Sequence, residues 1–263
     1  MDLHLDEIDA LAVRLTTETR DVPGYLTDRE ARHLVMLAQL TPAEGDLLEI
    51  GSFMGKSTIL LARAIKNISS LAKIVAVDPL TQPSETDPDM EHNRTSRDDF
   101  FANLKTARVD NLVEFHEKYS TDLAQNWNRP LRLLWIDGDH TYDGVRADFD
   151  GFAHHLSPGG IIAMHDLMHG FRGPDHVFIE EILLSAEFGA AGIVGSIGWA
   201  QKSPATPSQK SANKILANRL QSWLDAAPKT GRATGLRKLW VKFKRFQVPH
   251  AAINAVMLND QLS

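Results

Sequence analysis

The sequence predicts an α/β fold, a mostly parallel sheet covered by helices on both faces, and three observations predict it. Short apolar runs recur between residues 47 and 164 and alternate with stretches of helical periodicity. A glycine turn joins the first run to the first of these helices. Acidic and histidine residues, among them Asp78, Asp137, His165 and Asp166, sit directly after the runs. Short apolar strands separated by helices form a parallel sheet buried on both faces. Ligands of such sheets bind at the carboxyl ends of the strands, so the loops there are where function is sought.

Each element has a local signal. Ahead of the sheet, Thr27-Asp28-Arg29-Glu30 fits a capping box, and Leu34, Leu37 and Leu40 follow at helical spacing. Strands are expected at 47–50, 73–77, 112–115, 131–136 and 160–164, with one or two more within 192–201. Helices are expected at 57–68, 95–107 and 177–187, and Val145, Phe149, Phe152 and Leu156 mark the face of another. The polar segment 79–93, with four acidic residues, reads as a lid or a solvated loop. Residues 203–214 are rich in Pro and Ser and read as a linker. A helix at 215–226 and a basic stretch at 229–245 follow. The expected division is a domain at 1–202 and a linker with a helical tail at 203–263.

Composition removes several function classes. With no cysteine, a disulfide framework and a thiolate metal site are excluded, and any metal must sit on His, Asp or Glu. A net charge of −6 argues against a general nucleic-acid binder. The N-terminus is acidic and amphipathic, unlike a signal peptide. No apolar run is long enough to span a bilayer. A cytoplasmic protein is expected.

The turn Glu49-Ile50-Gly51-Ser52-Phe53-Met54-Gly55-Lys56-Ser57 admits two readings. Gly55-Lys56-Ser57 looks like the end of a phosphate loop, but that motif needs four residues between its glycine and the Gly-Lys pair, and Gly51 and Gly55 enclose three. The second reading is a nucleoside site. Gly51 lets the backbone approach a ligand closely, and Glu49 would repel phosphate but suits a cationic amino-acid ligand. Asp78 ends the second strand at the distance where an acid hydrogen-bonds ribose.

Glu49-Ile50-Gly51-Ser52 with Gly55 resembles the first motif of class I, S-adenosylmethionine-dependent methyltransferases, and Asp78 resembles their ribose-binding acid. The resemblance implies a Rossmann-like, doubly wound sheet of seven strands with a helical C-terminal extension. It places Glu49, Gly51, Ser52 and Gly55 at the cofactor, with Ser57, Ser120 and Asp137 as further candidates. Downstream, Asp137-Gly138-Asp139-His140-Thr141-Tyr142, Pro158-Gly159-Gly160 and His165-Asp166 resemble the pattern of metal-dependent O-methyltransferases acting on small molecules, often sugars. Val22-Pro23-Gly24-Tyr25-Leu26-Thr27 is similar to that group's upstream segment, so the resemblance runs from about Val22 to Lys202.

The chemistry fits the group. A divalent metal can acidify and orient an acceptor hydroxyl, and a neighbouring base removes its proton. The resemblance implies Asp137, His165 and Asp166 as metal ligands, although relatives carry Asp or Glu where His165 stands. Mg²⁺ prefers oxygen ligands, while an imidazole keeps Mn²⁺ open. The base is His140 or Asp139, and His140 is favoured because its unperturbed pKa lies near neutrality. A hydroxyl of a saccharide or glycosylated small molecule is the expected acceptor, with a catechol or phenol as the runner-up. A non-catalytic cofactor-binding protein is the rival from another class. His169, Arg172 and His176 follow the second cluster and are candidates for the acceptor pocket. In the tail, Leu236, Leu239, Trp240 and Phe243 form an apolar face among Arg237, Lys238, Lys242, Lys244 and Arg245. Docking on the core or on a second subunit of a homo-oligomer is the first reading. An anionic membrane surface and an acidic partner are the others.

Overall fold

The computed structural model describes residues 5–66, 73–81, 96–228 and 233–253. Its strands are β1 (Asp46–Ile50), β2 (Ile74–Val77), β3 (Val113–His116), β4 (Leu131–Ile136), β5 (Leu156–Met164), β6 (Phe188–Val194) and β7 (Ile197–Lys202). They form one seven-stranded sheet in the order β3-β2-β1-β4-β5-β7-β6. The pairs among β1 to β5 are parallel, and β7 runs antiparallel to both β5 and β6. The chain order reverses between β1 and β4, and that switch point is where an open α/β sheet binds its ligand.

Alternation along the central strands divides the core into two layers. Leu133 and Trp135 of β4 pack with α1 (Leu5–Glu18), α2 (Asp28–Leu40) and α3 (Lys56–Ile65), while Leu134 and Ile136 face α6 (Tyr142–Phe152) and α8 (Pro207–Ala226). The capping box that opens α2 is present in both directions, Thr27 accepting from the Glu30 amide and Glu30 accepting from the Thr27 amide. Its buried Glu30 has a second role. Oε1 accepts from the amide and hydroxyl of Ser196, which pins the β6–β7 turn to α2.

Several expectations are corrected. Leu156 opens β5 instead of closing the helix before it, and β5 takes in Pro158-Gly159-Gly160. The helix expected at 177–187 begins earlier, as α7 (Arg172–Val177), and continues as a wider π-helical segment, Phe178–Leu183. The linker expected at 203–214 is only a few residues long, because α8 starts at Pro207. Thr206 and Gln209 form a capping box there and proline occupies the first turn, where its missing N–H is no loss. Leu216, Leu220, Trp223 and Leu224 of α8 are buried in the same layer as β4 and β5. Most of the 79–93 segment and the start of the basic stretch, 229–232, lie outside the described residues.

Candidate active site

The strand register builds the site. Ile50 pairs with Val77 on one side and Ile136 on the other, and Ile136 pairs with Met164. The residue after each of these strand ends therefore falls in one row, Asp78, Gly51, Asp137 and His165 in spatial order. Backbone hydrogen bonds extend the ladder into that row, from Gly51 N to Val77 O (3.0 Å), Asp137 N to Ile50 O (2.8 Å) and His165 N to Ile136 O (3.0 Å).

On the β1–β2 side the polar groups are bound to one another. Asp78 Oδ2 accepts from the amides of Ser52 (2.7 Å) and Phe53 (3.0 Å), and Oδ1 accepts from Leu80 (2.7 Å). A carboxylate has about four acceptor sites, so Asp78 keeps one for a hydroxyl. Glu49 is fully buried beneath the turn and accepts from the hydroxyls of Ser52 and Thr58. Burial pushes its pKa up to about 7, against the hydroxyls of Ser57, Thr58 and Ser52 and with the Asp137 charge adding to the rise. Gly51 has φ +84°, and a Cβ there would stand 2.1 Å from the Asp137 carbonyl oxygen. Only glycine lets the β1 and β4 turns meet this closely. Gly55, at φ +88°, caps α3 from the left-handed region, and Tyr25 of the upstream segment stacks on Phe53 with centroids 5.5 Å apart.

On the β4–β5 side the polar groups face one another. His140 Nε2 lies 3.0 Å from Asp166 Oδ2 and 4.0 Å from Asp137 Oδ1. His165 Nδ1 lies 3.1 Å from Asp137 Oδ1, and His169 Nδ1 lies 3.3 Å from Asp166 Oδ1. Burial disfavours the charged form of His140, but bonds to Asp137 and Asp166 and their charges outweigh it and raise its pKa to about 10. The same balance raises His165 and holds Asp166 well below the usual carboxylate range. Asp166 and Met168 both have φ +59°, a conformation that costs a non-glycine residue energy and collects at functional sites. Two bonds hold this loop in place. Leu167 N donates to Ser196 O, and Met168 N donates to the buried carboxylate of Asp175.

Residues 48–167 match the model of a family described as a methyltransferase domain. That match runs from β1 to the loop after β5, the part of the chain that carries the glycine turn and the Asp137–Asp166 cluster. Solved structures share its fold. "The O-methyltransferase NovP" superposes with a TM-score of 0.55 at 16% identity, over 76% of this chain and 98% of that one. An O-methyltransferase from Bacillus cereus in complex with SAH gives 0.53 at 21%, over 76% and 93%. The O-methyltransferase TomG from Streptomyces achromogenes, in complex with SAM, gives 0.51 at 19%, over 76% and 92%.

The sites expected from sequence separate into three kinds. Gly51, Ser52, Gly55 and Asp78 form the turn, with Glu49 and Ser57 buried under it. Asp137 and Asp166 converge with His140. One ligand atom from each of the three lies within 4.8 Å of the others, a donor set of two carboxylates and an imidazole that fits a divalent cation. The expected third ligand was His165. It stands against Asp137, and its Nε2 is buried with no hydrogen-bond partner among the described residues. Two expected residues are occupied elsewhere. Asp139 accepts from the amide and the hydroxyl of Thr141, which itself caps α6. Ser120 donates to Asp148 across to α6. In the loop after β5, Arg172 donates to Leu224 O and His176 faces Glu180, so only His169 reaches the cluster.

Sequence reasoning missed three residues. Phe171 stacks on His140, centroids 4.4 Å apart and planes at 14°. Asp175 braces the strained loop. Asp148, under the Asp137-Gly138 turn, has its pKa raised by burial to about 7. Asp148 and Asp175 carried a signal, being acids at positions a helix buries; Phe171 carried none.

Proposed function

We propose that this protein transfers a methyl group from S-adenosylmethionine to a hydroxyl of a saccharide or glycosylated small molecule, with a divalent cation at Asp137, His140 and Asp166. The observation that carries the reading is the convergence of those three residues one strand away from the glycine turn. Mg²⁺ or Mn²⁺ held there supplies a Lewis acid that lowers the pKa of an acceptor hydroxyl. The chain's own residues do the rest. Asp78 offers its remaining acceptor site to a ribose hydroxyl, and the Gly51–Gly55 turn gives the cofactor a close backbone surface. His165 holds Asp137 in orientation from behind, as residues hydrogen-bonded to a ligand do. His140, between the two carboxylates, is assigned to the cation. His169, half-exposed on the acceptor side, then takes the proton-accepting role expected of His140. The described neighbours named above are, by name, O-methyltransferases, which agrees with oxygen as the acceptor atom.

One observation favours the runner-up. Phe171 gives the pocket a flat apolar wall, and such a wall suits a phenolic ring as well as the apolar face of a sugar. The deciding experiment is transfer of labelled methyl from S-adenosylmethionine to panels of nucleotide sugars, free glycosides and catechols, each with chelator, Mg²⁺ or Mn²⁺. Metal-dependent labelling of saccharides is the expected result. Labelling of catechols alone would select the runner-up, and undiminished transfer in chelator would remove the cation from the reading.

A further inference from the structure

The C-terminal helix α9 (Gly235–Phe246) is built unlike the others. It contains Arg237, Lys238, Lys242, Lys244 and Arg245 and no acidic residue, in a chain of net charge −6. None of its residues is buried. At 3.6 residues per turn, Phe246, Leu239, Phe243, Leu236 and Trp240 fall within an arc of about 120°. Leu236 is 85% exposed and Phe246 88%, and Leu239, Trp240 and Phe243 are also exposed, the last two by about half. The helix rests on the protein by its other side. Val241, nearly opposite the arc, packs against the core layer beside α8, and Arg237 donates to the carbonyls of Ala226 and Ala227. Cations line both rims of the apolar arc, Lys238 and Lys242 on one and Arg237 and Lys244 on the other. Lys244 lies along the arc's edge with Nζ 4.7 Å from the Trp240 ring.

We infer that α9 is an interfacial helix that docks this protein on an anionic lipid surface, with the Leu236–Trp240–Phe243 arc in the acyl boundary and the flanking cations on the headgroups. Two arguments select lipid. A two-fold dimer formed by the apolar arc about its own axis would set this cationic helix against an identical one with no acid on either. A nucleic acid or acidic peptide would answer the charges but leave the Trp, Phe and Leu side chains without an apolar phase. Apolar bulk flanked by Lys and Arg is the pattern of helices that lie in a bilayer interface, and each cation near an anionic leaflet adds to the attraction.

The test is co-sedimentation of the full chain with vesicles of phosphatidylglycerol in phosphatidylcholine, and with phosphatidylcholine alone. Binding to the anionic vesicles, weakened by salt, is expected. Lys242→Gln with Lys244→Gln, and separately Trp240→Ser with Phe243→Ser, should each lower the partition coefficient by roughly tenfold or more. Binding of S-adenosylhomocysteine should be unchanged in both, which shows that they fold. Three outcomes would overturn the inference. They are no sedimentation with anionic vesicles, sedimentation that both variants leave intact, and a free chain that is a dimer dissociated by Trp240→Ser without vesicle binding.

Discussion

The two halves of the sheet's carboxyl edge use acids in opposite ways. On the β1–β2 side Asp78 is paired to three amides, while Glu49 accepts from two hydroxyls through one oxygen and its burial favours the neutral acid. On the β4–β5 side Asp137 and Asp166 face each other across His140 and His165, and only added positive charge balances them. In the cluster by itself that charge is the protons on the imidazoles. A divalent cation is the alternative. The difference teaches which ligand each half suits: a turn held by its own amides suits a nucleoside held by shape, and an electrostatically incomplete cluster suits an ion.

The largest effect should come from the contact that joins the halves. Gly51→Ala places a Cβ against the Asp137 carbonyl at a positive φ, and is expected to cost about 3 kcal/mol or more. Thermal unfolding and S-adenosylhomocysteine titration should both register it. A variant that melts and binds like the parent would show that the turns need not touch. Next, Asp166→Asn should lower turnover roughly a thousandfold and abolish Mn²⁺ binding measured by electron paramagnetic resonance, while cofactor affinity stays. Asn tolerates the left-handed backbone there, so loss of the ion would report the charge. Retained Mn²⁺ binding would break the assignment of the cluster.

His33 sharpens the comparison from outside the site. It is buried on α2, has no hydrogen-bond partner on either ring nitrogen among the described residues, and has no carboxylate to hold a proton. Burial, helped by the Arg29 charge, lowers its pKa to about 3. A histidine depressed in the folded state contributes its full stability above the unfolded value near 6.5 and loses it as pH falls towards 3, at up to about 1.4 kcal/mol per unit. Denaturant unfolding from pH 7 to 4 should show a shallower acid loss in His33→Leu than in the parent. Equal slopes would mean that acid sensitivity comes from elsewhere.

The smaller effects separate the acids from one another. Asp78→Asn puts an amide group where an acceptor is needed and should weaken S-adenosylhomocysteine roughly tenfold to a hundredfold, with Mn²⁺ binding untouched. Asp139→Asn weakens one hydrogen bond to Thr141, and should cost about 1 kcal/mol of stability and leave kcat within about twofold. A collapse of kcat in that variant would return Asp139 to the chemistry.

Much of this was legible locally. The Thr27–Glu30 box, the β1 turn and the position of Asp137 and Asp166 behind apolar strands all follow from signals a few residues long. The Thr206–Gln209 box was equally legible, but the polar run around it reads as a linker. Asp139 shows the limit of motif reading, since an acid two residues after Asp137 can as well hold Thr141, the cap of α6, as serve the site.

The sequence alone determined the strand–helix alternation, the helix caps and which residue types end each strand, because periodicity and capping act between near neighbours. Tertiary structure decided that His140 joins His165 between the carboxylates, that Phe171 stacks on His140, that Glu30 reaches Ser196, and that α8 belongs to the core while the apolar arc of α9 stays outside it. Those facts depend on strand register and helix packing, which set distances between residues far apart in the chain, and no local pattern encodes such distances.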